Sequence, residues 1–444
     1  MGLGAALPPL DIAVNVAFPA ITAAFALETQ AIRWVVAAYV LTYASLMLAF
    51  GRLGDIVGYR RVFRAGLVLA AGAFVLCALA PDYGWLLAAR TVQGVAAALL
   101  LSCAPALATS LYDESRRTWV LGAFASMSAG AAVVGPLVGG ASIALLGWAG
   151  VFWFRAPLAL LALALLPFVP LLPGQPIKRS FDLAGALLLA AGLAMLLLVP
   201  TLAQSGAAPS LLALVAGTIL FVAFVRRQRS AESAFLPGAI VRDPGFVLLN
   251  LASVSVHLAS FAIPLLVPYY LARISGYGAL GIGVLLMLWA LGMMGGSVVA
   301  APVVRTLGRR STALLGGVMV AVGQFSISLW PAEPVLMAAI LMVQGAGVGL
   351  FQVAYTDTVI ALLPRHDRGV AGSLTILTRT IGILVGAAAL TAALHAFEYR
   401  GLAAGQWDRD AFLGAFQSVF RYSALLFAAF FAFASVRRRG WGGV

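Results

Sequence analysis

Long apolar runs alternate along the chain with short stretches in which arginine, glycine, proline and acidic residues collect. A run of about 20 apolar residues crosses about 30 Å of hydrocarbon as a helix and satisfies its own backbone hydrogen bonds on the way. The pattern predicts fourteen spans, at 3–26, 31–50, 62–81, 84–110, 118–146, 151–172, 183–203, 208–225, 246–271, 277–304, 311–331, 335–362, 370–396 and 411–436. None shows the short two-residue alternation of an outer-membrane barrel strand, so the predicted class is an all-α integral membrane protein.

The polar interruptions orient these spans. Arg52, Arg60, Arg61 and Arg64 follow the second span, Arg116 and Arg117 the fourth, and Lys178 and Arg179 the sixth. Arg226, Arg227, Arg229 and Arg242 follow the eighth, and the series continues through Arg305, Arg309 and Arg310, Arg365 and Arg368, and Arg437 to Arg439. Loops rich in Lys and Arg stay on the cytoplasmic side, so these alternate loops and both termini are expected inside.

Composition agrees with the pattern. With 63% hydrophobic and 10% charged residues in 444, and a mean hydropathy of +1.03, no stretch is left for a separate soluble domain. The net charge of +13 is dispersed over alternate loops. That distribution argues against a nucleic-acid partner and for the lipid bilayer. Cys77 and Cys103 fall inside apolar runs, where a free cysteine acts as a small hydrophobe, so no disulfide, metal site or cofactor is implied. The first run lacks the basic region and small-residue cleavage site of a signal peptide and is expected to remain as a span.

The second half repeats the first. Gly58 and Gly308, the VQG of Val92–Gly94 and that of Val343–Gly345, and Gly135 and Gly386 are all about 250 residues apart. Equivalent positions are separated by an even number of spans, so the copies are parallel. Two six-helix bundles are expected, at 1–172 and 246–444, with two inserted helices and their cytoplasmic linkers at 173–245. The inserted pair is rich in Leu and Ala and is expected to face lipid. In the second copy Arg305 stands where the first has Asp55, and Ala301 where it has Gly51.

Candidate chemistry is sparse. GRLGDIVGYRR packs Gly51, Gly54 and Gly58, one carboxylate, Asp55, and Arg52, Arg60 and Arg61 into one loop. A carboxylate among guanidiniums at a membrane edge forms a bond that can be broken and remade, which is a conformational latch; alternatively the arginines only fix orientation. Asp11 lies about 12 Å along the first span, where desolvation favours the neutral carboxyl and suits it to carry a proton, or where it is held structurally by Asn15 one turn on. Arg90 either acts on the charge of a nearby acid or snorkels to the outer interface. Asp357 and Arg379 lie at similar depth and are expected to pair, as a coupling element or as a static link between the twelfth and thirteenth spans. Asn15, Gln93 and His257 are polar residues expected to line a cavity. Gly135, Gly139 and Gly140 allow close helix approach, and Pro136 frees a carbonyl, so the fifth span can bend.

In combination these motifs resemble the major facilitator superfamily, specifically its fourteen-span drug:proton antiporter branch. LDIAVNVAFPAI (Leu10–Ile21) resembles that branch's first-helix signature, GRLGDIVGYRR the superfamily loop motif, RTVQG (Arg90, Gln93, Gly94) the fourth-helix motif, and GPLVGG the antiporter motif of the fifth helix. Departures are Ala131 in place of a motif glycine, Ala272 where glutamine is common, and Ala149, Gly150 and Arg155 in WAGVFWFRAP, where the family carries basic and asparagine residues.

The resemblance implies a monomeric, proton-coupled secondary exporter of amphipathic or lipophilic compounds, of the multidrug-efflux and antibiotic-resistance type, working by alternating access in a prokaryotic cell membrane. A dedicated metabolite exporter or an uptake permease of the same fold remains open. An intramembrane enzyme would need a nucleophile with its base or a metal set, which three histidines and two cysteines at unrelated depths do not provide. No GxxxxGK[ST] phosphate loop occurs, so an ion gradient is the expected energy source. Reporters fused after Arg61, after Arg229 and at the C-terminus should all read cytoplasmic, and a single external reading would break the predicted topology.

Overall fold

The computed structural model describes residues 2–110, 117–169, 183–202, 206–229, 244–330, 333–362 and 368–436. Among the described residues the protein is helical throughout. The first segment is broken into α1 (Gly2–Ala6), a 3₁₀ turn (Pro9–Ile12), α2 (Ala13–Val16) and α3 (Phe18–Ala24). Pro8, Pro9 and Pro19 each remove a backbone donor, so one continuous ladder cannot form through this stretch. Next come α4 (Ile32–Val57), α5 (Tyr59–Ala78), α6 (Tyr83–Ser110), α7 (Arg117–Leu146), the short α8 (Gly150–Trp153), α9 (Arg155–Leu165), α10 (Leu183–Leu202) and α11 (Ala207–Arg229). The remaining helices are α12 (Pro244–Arg273), α13 (Ala279–Ser328), α14 (Pro334–Leu362), α15 (Arg368–Ala403) and α16 (Asp408–Val436).

By length and hydropathy, ten helices among the described residues can cross a membrane, or eleven if the bent first segment is one span. This makes the chain a polytopic membrane protein without reaching the predicted count of fourteen. Three features lower the number. A helix of 50 residues, α13, is counted once although Gly308 interrupts it at φ 80° and ψ 161°, α10 enters only as a shorter apolar helix, Leu187–Val199, and α4 is not among the ten. A straight α13 would run roughly 75 Å, far beyond one bilayer, so the break at Gly308 is required.

Two compact units divide the chain, Met1–Glu232 and Ser233–Val444. In the first, α6 packs against α4 and α5, α9 against α5, α7 against the first segment, and α10 against both α11 and α4. The pair expected as an insertion therefore clusters with the first unit, and α11 leaves Leu211, Leu212 and Ile219 exposed. The apolar core of this unit includes Phe63, Leu67, Phe74 and Leu100. In the second unit α13 packs on α14, α12 on α15, and α16 on α13 and α15, around Val256, Phe351, Phe427 and Phe431.

Positions paired by the sequence repeat share their geometry. Gly58 separates α4 from α5 at φ 98°, and Gly308 interrupts α13 at φ 80°, both in the region that side chains rarely enter. A Cβ on Gly94 would lie 2.8 Å from the Tyr39 carbonyl oxygen, and one on Gly345 2.2 Å from that of Trp289. Each glycine thus lets the helix carrying VQG touch the backbone of the preceding inward-packed helix.

The same steric argument yields a stability contrast within α13. A Cβ on Gly292 would meet the Met342 carbonyl oxygen at 2.2 Å, whereas one on Gly295 meets nothing. Gly292→Ala should destabilise by about 1–3 kcal/mol through overpacking. Gly295→Ala should be neutral or stabilise by up to about 1 kcal/mol through helix propensity. Thermal unfolding of the purified variants in detergent separates them, and equal melting points would refute the close helix contact.

Candidate functional site

The 3₁₀ turn that breaks the first segment carries Asp11 into the interior of the first unit. Its carboxylate receives four hydrogen bonds. Arg90 of α6 grips both oxygens, Nη1 to Oδ1 at 2.6 Å and Nη2 to Oδ2 at 2.9 Å. Arg155, the first residue of α9, donates Nη1 to Oδ1 at 2.7 Å, and Gln93 donates Nε2 to the same oxygen at 2.8 Å. The side chains are 13% exposed for Asp11, 2% for Arg90 and 0% for Arg155, so the pairs are formed away from solvent.

The surroundings lock the donors in place. Arg90 Nε donates to the Val35 carbonyl and its Nη1 also to Gln93 Oε1, while its guanidinium lies 4.4 Å from the centre of the Tyr39 ring. Arg155 Nε donates to the Val151 carbonyl one turn back, and its guanidinium sits 4.8 Å from the Phe74 ring and 5.2 Å from Phe152. Aromatic faces offset part of the cost of burying a cation. The Cys77 thiol donates to Gln93 Oε1 at 3.7 Å and acts as a packed polar group within the cluster.

The sequence reading of Asp11 as a desolvated carboxyl that favours its neutral form is corrected by these bonds. The acid is one member of a cluster of two guanidiniums and one carboxylate, so a proton can reach it only at the expense of charge-assisted hydrogen bonds. Asn15, expected to bond Asp11, lies half-buried in α2 and is not among the donors to the carboxylate. Gly135 and Gly139 of α7 are brought to the site instead. A Cβ on Gly139 would lie 2.8 Å from that of Ala13, and one on Gly135 3.0 Å from Ile12 Cγ2. Pro136 and Gly140 are buried beside them. The helix expected to bend therefore packs directly on the turn that holds Asp11.

Other predicted residues lie elsewhere. Asp357 does not pair with Arg379: its Oδ2 accepts from Arg309 Nε, just past the Gly308 break, and both side chains are nearly half exposed. Arg379 is exposed on α15 and acts electrostatically on His257 instead. Equal depth along two helices places residues at one level but leaves their rotation about the helix axes undetermined, and rotation decides the partner. In the first-unit loop, Gly51 is half-buried, a Cβ on it reaching the Ser102 Cβ at 4.0 Å, and Arg60 Nη2 donates to the Leu166 carbonyl at the end of the α9 segment at 3.0 Å. Arg61 donates to the Val57 carbonyl at 3.3 Å. The Asp55 side chain lies outside the described residues.

His257 belongs to a polar seam in the second unit. Asn250, Ser253, His257 and Ser260 recur at the three-to-four-residue spacing of one face of α12. His257 Nδ1 bonds the Ser253 carbonyl at 2.8 Å, Ser253 meets Thr378 at 3.0 Å, and the Tyr355 hydroxyl donates to Asn250 Oδ1 at 2.9 Å. Gln344 accepts from Trp289 Nε1 at 2.6 Å and donates to Ser260 at 3.2 Å. Tyr39, Gln93 and Asp11 of the first unit stand about 250 residues before Trp289, Gln344 and Ser260, so the second copy repeats the cluster with its charges removed.

Arg155 is the member of the Asp11 cluster that sequence reasoning missed. It registered only as a departure from the aromatic stretch ahead of Pro157. An arginine within an apolar span was the available signal, because a buried guanidinium demands a partner.

A protein of membrane-crossing helices in two duplicated units, with an ion-paired cluster buried inside the first, is a polytopic membrane protein. It belongs to the Major Facilitator Superfamily, whose family model matches residues 3–387 and again 249–439, and it is thus a secondary transporter and not an enzyme. It is 30% identical to the uncharacterized transporter YebQ of Escherichia coli (strain K12), over 90% of this chain and 89% of that protein. It is 31% identical to the puromycin resistance protein pur8 of Streptomyces alboniger, over 85% and 77%. The riboflavin transporter RibZ of Clostridioides difficile (strain 630) is 25% identical, over 87% and 85%. Among solved structures, a mutant of the nucleoside transporter NupG superposes with a TM-score of 0.68 over 97% of this chain and 98% of that one; at 11% identity this establishes the fold alone.

The surplus of cations in the cluster predicts a non-additive double mutant. Asp11→Asn strands two buried guanidiniums and should destabilise by about 3–5 kcal/mol. Adding Arg155→Gln removes one stranded charge and should recover part of that loss. A double variant that melts below Asp11→Asn alone would show that the two side chains do not share this charge balance.

Proposed function

We propose that the protein is a proton-coupled exporter of amphipathic or lipophilic compounds, of the fourteen-span drug:proton antiporter type, acting in a bacterial cell membrane. One observation carries this reading: Asp11, the carboxylate of the antiporter-like first-helix signature, is bonded to arginines from α6 and α9 and stands on a turn whose neighbouring residues Ile12 and Ala13 pack against the glycines of α7. Protonation of Asp11 removes its negative charge and weakens the bonds to Arg90 and Arg155 together. Three elements of the first unit then lose their common tie, and α7, carrying Pro136 beside the Ala13 contact, is free to bend. A local proton event thereby becomes a choice between two arrangements of the unit.

In this scheme Arg90 and Gln93 hold the carboxylate in place while it is charged. Arg60, bonded to the carbonyls that end the α9 segment, ties the cytoplasmic loop to the same helix that carries Arg155. The exposed Arg309–Asp357 pair is the second unit's state-dependent contact at the equivalent loop. The resistance protein among the relatives supports an export role, and the riboflavin transporter among them supports the second reading, a carrier dedicated to one metabolite. The breadth of the substrate panel separates the two.

The test is proton release from purified protein on addition of substrate, together with uptake into inverted vesicles with and without a protonophore. Asp11→Asn should abolish substrate-induced proton release and gradient-driven accumulation while sparing downhill exchange, and Asp11→Glu should retain part of the activity with an altered pH profile. Undiminished proton release from folded Asp11→Asn protein would place the proton site elsewhere.

A further inference from the structure

Among the described side chains, and leaving aside Asp408 and Asp410 in the first turn of α16, three carboxylates lie within membrane-crossing segments, and an arginine is bonded to each. Asp11 has Arg90 and Arg155, Asp357 has Arg309, and Glu398 has Arg273 at 3.2 Å. A cationic substrate needs a carboxylate it can use as a counter-charge, and all three are already taken. At Asp11 the excess runs the other way, because two guanidiniums share one acid. Arg155 Nη2 is moreover buried with no hydrogen-bond partner. What this site lacks is an acceptor.

We propose that the transported molecule is a non-cationic amphiphile presenting a carbonyl or carboxylate oxygen, and that Arg155 is the specificity-determining residue that excludes cations and receives that oxygen. The proposal rests on the reading of the Asp11 cluster as the transport site. Asp11, at 13% exposure, is the cluster's open edge, so an arriving group meets it first. A cation finds both carboxylate oxygens bonded and two like charges behind them. An acceptor oxygen that takes the place of Asp11 on Arg155 gains Nη1 and Nη2 together, the fork geometry that guanidinium favours. Asp11 keeps its two bonds to Arg90 in the exchange, and with a carboxylate bound the site holds two ion pairs and no surplus charge. Phe74 and Phe152 hold the guanidinium plane throughout.

Three probes of matched bulk and different head groups test this: triphenylacetate, triphenylacetamide and methyltriphenylphosphonium, measured by equilibrium dialysis against the full-length protein in detergent with protein-free micelles subtracted. The parent should hold triphenylacetate tighter than the phosphonium by roughly tenfold or more, the worth of one charge-assisted hydrogen bond. Arg155→Gln should erase that preference and Arg155→Lys should retain its direction. Triphenylacetamide bound above the phosphonium supports the acceptor-oxygen assignment; bound below it, the amide overturns it. A parent with no preference for triphenylacetate over the cation, whether all three probes bind equally or none binds, also overturns the proposal, as does an unchanged ratio in folded Arg155→Gln protein. If that variant does not fold, the parent ratio decides alone. Anion preference without substrate-induced proton release leaves this selectivity standing and removes only the proton-coupling reading.

Discussion

One carboxylate shared by two arginines organises the first unit. Asp11 stands on a 3₁₀ turn, Arg90 on α6 and Arg155 at the start of α9, and their bonds at 2.6–2.9 Å join three elements that no short loop connects. An intact buried ion pair adds little net stability, since desolvation offsets its attraction, but a broken one leaves a stranded charge and is costly. Such a cluster therefore acts less as glue than as a constraint on which arrangements the helices can adopt. Any motion of α6, α9 or the first segment must keep the acid paired or neutralise it.

The packing around the cluster explains how this constraint reaches the rest of the unit. The prolines of the first segment interrupt its helix and present Leu10–Ala13 to α7, where Gly135 and Gly139 leave no room for a side chain. Arg60 reaches from the start of α5 to the carbonyls that end the α9 segment, so the α4–α5 turn is tied to the helix that carries Arg155. In the second unit the same register holds Trp289, Gln344 and Ser260, bonded to one another without any charge. At this register the second copy thus has a polar contact between the equivalent helices, and only the first has charges there.

Membership of the Major Facilitator Superfamily gives the protein its class, secondary transport across a membrane. Relatives at 25–31% identity include a drug-resistance protein and a riboflavin transporter, so family membership alone leaves the cargo open. If the Asp11 cluster is the transport site, as proposed, its charge balance narrows the cargo, because it already contains more positive charge than one acid can pair.

Much of this was legible in the sequence, for a definite reason. Apolar run length and the recurrence of Gly58 at Gly308 and of VQG at Val343–Gly345 are one-dimensional properties, and in a membrane they determine helical class and duplication. Asp11, Arg90, Gln93 and the glycines of α7 were recognisable for the same reason, since polar and helix-bending residues stand out against hydrocarbon. The partners were not. Depth along a helix follows from residue number, but contact also depends on rotation about the helix axis and on which helices are neighbours. Tertiary packing alone therefore turned Asp357 toward Arg309 rather than Arg379, left Asn15 off the carboxylate, and brought Arg155 across 144 positions of sequence to share Asp11.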